Sequence, residues 1–210
     1  MNRLFAVPMV LVALVVSTVG ISSTAGASGE PLGDCSAPAA HDVNWDGCDL
    51  HGKQFVDANL TRAQLIGTNL SGANLSGARL DHATLYDTNL SGANLSRSNM
   101  DSTYLRKADM EGANLSDARL YRADFMSADL RRADLRGIQE LGQSHFGRAN
   151  LTNADLSGAS LQDPSFIITN LSGVDMTGTT MHSAQSEGIR GTPKALPDGW
   201  ALKDGTFHRT

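Results

Sequence analysis

From Leu50 onward every fifth residue is large and apolar: Leu50, Phe55, Leu60, Leu65, Leu70, Leu75, Leu80, Leu85, Leu90, Leu95, Met100, Leu105, Met110, Leu115, Leu120, Phe125, Leu130 and Leu135. Neither regular element accommodates that period. Along an α-helix each step of five residues rotates the side chain by about 140° and smears the apolar set around the cylinder. Along a flat strand an odd period sends successive side chains to opposite faces. These side chains can share one interior only if the backbone bends once in every unit. The period therefore predicts a solenoid rather than a layered domain.

Two residues before most centres stands alanine, as in Ala63, Ala73, Ala78, Ala83, Ala93, Ala108, Ala113, Ala118, Ala123, Ala128 and Ala133. Alternate residues of an extended segment point the same way, so this small residue faces inward beside the larger one and the interior is narrow. Glycine recurs two residues after the centre, at Gly67, Gly72, Gly77, Gly92 and Gly112, where a tight corner benefits from its permissive backbone. At Arg136–Leu141 one extra residue enters, and the beat resumes at Leu141, Phe146, Leu151, Leu156, Leu161, Phe166, Leu171, Met176 and Met181. All 27 centres are read as inward-facing, and the slip as a bulge or small projecting loop near 137–142.

The unit Ala-(Asn/Asp)-Leu-x-x, plain in Ala73-Asn74-Leu75 and Ala133-Asp134-Leu135, resembles that of the pentapeptide-repeat family. The resemblance covers about 48–184. It implies an all-β, right-handed quadrilateral β-helix with four units per coil and neighbouring coils about 4.8 Å apart. Residues twenty apart then stack on the outside, which sets Asp87 over Lys107, Arg97 over Asp117 and Glu111 over Arg131, with Asp81 over Asp101 as a like-charged counterexample.

The two flanks differ from the repeat. Arg3, an uncharged apolar run from Leu4 to Ile21, and small residues up to Ala27 read as a signal peptide over 1–27, with an uncleaved N-terminal anchor as the alternative. The exported chain would then have no stable membrane span and would be secreted or held in the cell envelope. Export into an oxidising space predicts a Cys35–Cys48 disulfide within an N-terminal cap over 28–47, folded as a flap with Trp45 over the first coil. Residues 185–210 read as a C-terminal cap, with a short hairpin near Asp198-Gly199 and Asp204-Gly205 whose Trp200 and Leu202 pack on the last coil. The alternative for Trp45 and Trp200 is an aromatic ligand platform.

The residues supply little chemistry. Asp42-Val43-Asn44-Trp45-Asp46-Gly47 opens like a calcium loop, but Lys53 stands where its closing carboxylate belongs, so a solvated acidic cap is preferred. The histidines at 41, 51, 82, 145, 182 and 208 have no metal-ligand spacing, and no nucleophile elbow or phosphate loop is present. No catalytic, metal or cofactor-binding residue is assigned, and the irregular stretch 136–147 is the one candidate for a recognition loop.

Charge narrows the partners. After removal of 1–27 the chain holds 16 Lys+Arg and 22 Asp+Glu, yet residues 50–181 hold 12 bases against 14 acids. Nearly neutral faces without a basic and aromatic stripe argue against nucleic acid as a partner. The resemblance also implies an alternative, since some members mimic duplex DNA and shield DNA gyrase from inhibitors. Such mimicry needs a continuous negative face, and Arg119, Arg122, Arg131, Arg132 and Arg136 crowd the middle of this rod. The reading reached is a non-catalytic, exported rod that engages an unknown protein or cell-envelope component.

Overall fold

The computed structural model describes residues 33–139 and 141–210. The signal peptide read over 1–27 lies outside the described residues. The rest is a solenoid with four sides, joined by single parallel bridges between residues one coil apart. Gln64, Thr84, Tyr104 and Asp124 form one such column, and Asn74, Asn94, Asn114 and Asp134 another. We call the sides A to D, by their first centres Trp45 (A), Leu50 (B), Phe55 (C) and Leu60 (D).

The five-residue unit follows from an account of its five N–H groups. In the unit around Leu70, the N–H of Leu70 donates to the Asn89 carbonyl of the next coil at 2.7 Å and Gly72 to Ser91 at 2.9 Å, while Asn69 donates back to Cys48 at 2.8 Å. Ala73 closes the corner by donating to Leu70 at 3.0 Å. The remaining donor, Ser71 N–H, is taken by the Asn69 side chain at 3.2 Å. Asn or Asp before the centre thus supplies the acceptor that the ladder cannot. The corner needs positive φ two residues after the centre, as in type II turns. Gly72 adopts it at 61°, and so do residues with side chains, among them Arg62, Asp87 and Arg148. Ile168, β-branched and at φ 58°, is the costliest of these.

Inside, every centre from Leu60 to Leu171 is fully buried, including Leu80, Leu90, Leu95, Leu115, Leu120, Leu130, Leu135, Leu151 and Leu156. Where Thr or Ser replaces the inward alanine, its hydroxyl finds a backbone carbonyl. Thr68 Oγ1 donates to Trp45 O at 2.7 Å, Thr88 to Leu65 O at 2.6 Å and Ser144 to Leu120 O at 2.6 Å. No buried side-chain polar atom among the described residues lacks a partner. On side A the leucine column gives way to aromatic rings. Phe125 stacks on Phe146 at 4.9 Å and Phe146 on Phe166 at 5.4 Å, and Phe207 meets Phe166 edge-on at 5.9 Å.

The slip is a bulge built into the wall of side D. Ser160 N–H donates to Ile138 O at 2.7 Å, and Ser160 O accepts from Leu141 N–H at 3.1 Å, so one residue of the next coil serves a stretch of four. Ile138 fills the small inward slot and Leu141 resumes the centres. From there stacking partners are 21 residues apart across the bulge, as in Asp124 with His145 and Asp134 with Asp155. On side D the ladder widens to a short parallel pair, β1 (Ser160–Gln162) with β2 (Thr180–His182).

Both boundaries of the solenoid move outward from 48–184. The ladder begins at Asn44 and runs to Arg190 and Ala195, because backbone pairing persists where the inward leucine does not. Trp45 is therefore no flap. It sits 2% exposed at the centre position of side A, with Val43 and Cys48 in inward slots. The Cys35–Cys48 disulfide is present, and Gly33 and Asp34 N–H donate to Asp46 O and Asn44 O along the lower edge of side A. At the other end β3 (Trp200–Lys203) and β4 (Thr206–Arg209) form an antiparallel hairpin across Asp204-Gly205, both at positive φ. Its deeply buried member is Phe207, while Trp200 and Leu202 are only half-buried. Trp200, Leu202 and Phe207 share one face of the hairpin, with Phe207 against the Phe column and Trp200 beside it, at 6.3 Å and edge-on. No helix of the described residues is long and apolar enough to cross a membrane.

Candidate interaction surface

The four sides share one interior but not one exterior. On side C the residue after the centre is serine at Ser76, Ser96, Ser116 and Ser157, with Val56, Arg136 and Thr177 at the others, and the residue before it is Asn or Asp along most of the rod. Side B is alike at Ser71 and Ser91, whose hydroxyls donate to Asn69 and Asn89 at 2.8 and 2.7 Å. On side A the same outward position holds Ile66, Tyr86, Arg106, Met126, Gly147 and Ile167, and the position before the centre holds Tyr104. Of seven exposed large apolar side chains among the described residues, Ile66, Tyr104, Met126, Ile167 and Ile168 lie on this side or its corner.

Gly147 is the low point of side A. With no side chain between Met126 and Ile167, it opens a groove of about 500 Å³ whose walls include His145, Arg148, Ser165 and Ile168. Ile168 reaches that wall only by holding the left-handed backbone that a β-branched residue resists. Lower on the side, Tyr86 and Tyr104 meet at 6.1 Å and Arg106 donates to Asp124 at 2.6 Å. Round the corner on side D, Tyr121 lies over Gly142, where an added Cβ would come within 3.2 Å of the ring, and the Arg122 guanidinium sits 5.1 Å above the Tyr121 ring.

The charged residues on the other sides are largely spent on one another. Glu111 takes Arg131 at 2.6 Å and also Arg132, Asp134 takes Arg136 at 2.7 Å, and Asp175 takes Lys194 at 2.7 Å. The hydrogen bond from Arg136 holds the Asp134 carboxyl below the ordinary carboxylate range, and those from Lys194 and Thr177 do the same to Asp175. Of the stacked pairs expected, Glu111–Arg131 closes, whereas Asp87–Lys107 and Arg97–Asp117 form no ion pair. The like-charged Asp81 and Asp101 are each relieved by an arginine, Arg79 at 3.6 Å and Arg119 at 2.9 Å.

The calcium-like segment does not act as a unit. Asp42 accepts from Arg62 Nε at 2.6 Å, which with His41 lowers its pKa, and Asp46 accepts Ile66 N–H at 2.7 Å. Among the described residues no three His, Cys, Asp or Glu gather as a metal site would require. Trp45 is buried and offers no platform. Sequence reasoning missed the apolar column of side A, although its signal is present. Ile66, Tyr86 and Met126 stand at multiples of twenty residues, interrupted by Arg106, but Ile167 joins them only once the bulge is counted.

A uniform dry interior, a corner in every unit and differentiated outer faces define a β-solenoid of five-residue units. The profile described as pentapeptide repeats matches residues 41–72, 58–97, 98–137 and 140–178, in eight copies. The chain belongs to the pentapeptide-repeat family, whose solved members are right-handed β-helices. No curated protein matches it. Among solved structures it is similar to a pentapeptide-repeat protein of the Arabidopsis thaliana thylakoid lumen, at 32% identity over 46% of this chain and 59% of that one, with a TM-score of 0.34. It spans little more than half the length of that protein. QnrB1, a plasmid-mediated fluoroquinolone resistance protein, shares 17% identity over 65% of this chain and 84% of its own, with a TM-score of 0.38. HetL of the cyanobacterium Nostoc, involved in heterocyst differentiation regulation, shares 24% identity over 77% of this chain and 88% of its own, with a TM-score of 0.29.

Proposed function

We propose that the protein is a non-catalytic, exported rod whose disulfide-tied start and hairpin finish act as caps, and whose side A binds a protein outside the cytoplasmic membrane. The observation that carries this is the concentration of exposed apolar side chains on one side of four, which with its corner holds five of the seven among the described residues, Val56 on side C and Tyr121 on side D being the others. All four sides bury equivalent centres, so the fold places no demand for Ile66, Met126 or Ile167 in outward positions that serine fills elsewhere. Exposed patches of that kind mark contact surfaces. Export is supported by the signal-like N-terminus and by the closed Cys35–Cys48 bond, which persists in oxidising compartments.

The gyrase-shielding alternative receives less support. On sides B and C, Glu111, Asp129 and Asp134 are paired with Arg131, Arg132 and Arg136, which interrupts any continuous negative strip. A supercoiling assay with and without inhibitor distinguishes the two readings. The direct test places a photo-crosslinker at Met126 and, as control, at Ser96 of side C, in cells expressing the full chain. Capture of protein from Met126 alone, with the mature chain beginning near Ser28 outside the cytoplasm, is expected. Equal capture from both sides, or full-length cytosolic protein, would overturn the proposal.

A further inference from the structure

Resting on the reading of side A as a contact face, we infer that its partner is a second copy of this chain, packed antiparallel with side A against side A. A two-fold axis lying in such an interface, across the rods, sets each outer column against its own copy with the order of coils reversed. With the axis midway between the coils of Arg106 and Met126, Ile66 meets Ile167 of the other copy and Tyr86 meets the gap at Gly147. On the corner column Asp87 meets Arg148, and Ile168 meets the bare Gly67. Each contact occurs twice by symmetry. The alignment follows from the ladder, in which the Asp87, Lys107 and Arg148 N–H groups bond to Arg106, Met126 and Ile167 in turn.

This register pairs opposite charges and also covers Ile167 and Ile168, whereas an axis one coil nearer the start would set Asp87 against Lys107 of the other copy but carry both isoleucines past the end of the contact. Moving the axis by half a coil spacing toward one end sets Lys107 against Lys107 of the other copy, and moving it toward the other end sets Lys107 against Arg148. Among the described residues Asp87 and Arg148 form no ion pair within their own chain, and three coils, about 14 Å, separate them there. The central Arg106–Asp124 pair is already neutral. The outermost coil opposes Asp46 and Glu187, which confines the contact to the six coils between them. A strip about 29 Å long and one side wide falls short of the roughly 800 Å² per partner of a standard interface. The dimer therefore forms at high protomer concentration and dissociates on dilution.

Sedimentation velocity of the purified chain from about 10 to about 500 µM tests this by mass action. Wild type is expected to shift from monomer to dimer across the range. Arg148→Asp and Asp87→Arg should each weaken association about tenfold, and the double charge swap should restore it, because the pairing lies between chains. In the absence of free cysteines, Ile66→Cys combined with Ile167→Cys should yield an intermolecular disulfide on mild oxidation, since five coils separate the two positions within one rod. A wild-type chain monomeric throughout, single charge variants that associate like wild type, or a double swap that stays weak would overturn the inference. If the chain is monomeric while Met126 still captures a different protein in cells, side A remains a contact face and the second copy is refuted. If Met126 captures nothing, both readings fall.

Discussion

Sides A and C are assembled from the same unit, turned by the same corners and filled by the same class of centre, yet they present opposite exteriors. Side C carries a column of serines beside asparagines and aspartates; side A carries isoleucine, tyrosine and methionine. Their interiors differ chiefly in that the leucine column of side A becomes Phe125, Phe146 and Phe166 from the fifth coil on. Inward positions are chosen by packing and outward positions are free of it. Departures on the outside therefore report on contacts with something else, while departures on the inside report on stability.

The comparison breaks most severely from within. Phe146→Ala removes the middle ring of the stack and should cost about 3–5 kcal/mol in denaturant titration, more than Leu156→Ala on side C. An equal or smaller loss would mean that the aromatic column adds nothing to leucine packing. Opening the cap comes next. Cys35→Ser with Cys48→Ser should cost about 3 kcal/mol for a loop of 13 residues, and the first bridges, Asn44 with Gln64 and Asp49 with Asn69, should then exchange amide protons ahead of later coils.

A smaller effect runs the other way. Ile168→Gly should raise stability by about 1 kcal/mol by relieving the left-handed backbone, while lowering the apolar exposure of side A. A destabilised variant would show that Ile168 contributes packing greater than its strain. Acid gives a directional test through Asp134, whose carboxyl Arg136 holds below the usual range. A depressed folded pKa stabilises the protein above the unfolded value near 4 and loses that stabilisation as pH falls through the folded one. The melting midpoint should be flat from about pH 5 to 8 and fall below about 4, less steeply in Asp134→Asn. The smallest effect sharpens the contrast most: Ile66→Ser and Ser96→Ala should each change stability by less than about 0.5 kcal/mol, yet only Ile66→Ser should reduce retention on a hydrophobic column.

Most of the wall was legible in the residues. Leu60, Leu65 and Leu70 could share an interior only through a bend at every unit, and Gly72 marked where the bend falls. Trp45 was misread as a flap because Val43 and Trp45 stand where the unit has alanine and leucine, although Asn44 precedes it as in the repeat and it lies five residues before Leu50 and keeps the beat. Phe207 was missed because a strand of four residues carries too little pattern to show which member turns inward. The surface was the least legible part, since it depends on which coil lies over which.

What the amino-acid sequence determined alone was local and repetitive: which side chain points inward, where the backbone turns left-handed, and how each N–H is satisfied. These depend on neighbours within one unit, and 27 units vote for the same answer. The tertiary structure decided the long-range alignment. A single residue inserted between Ile138 and Leu141 shifts every later coil by one position, and that shift brings Gly147 between Met126 and Ile167 and sets the surface on which side A depends.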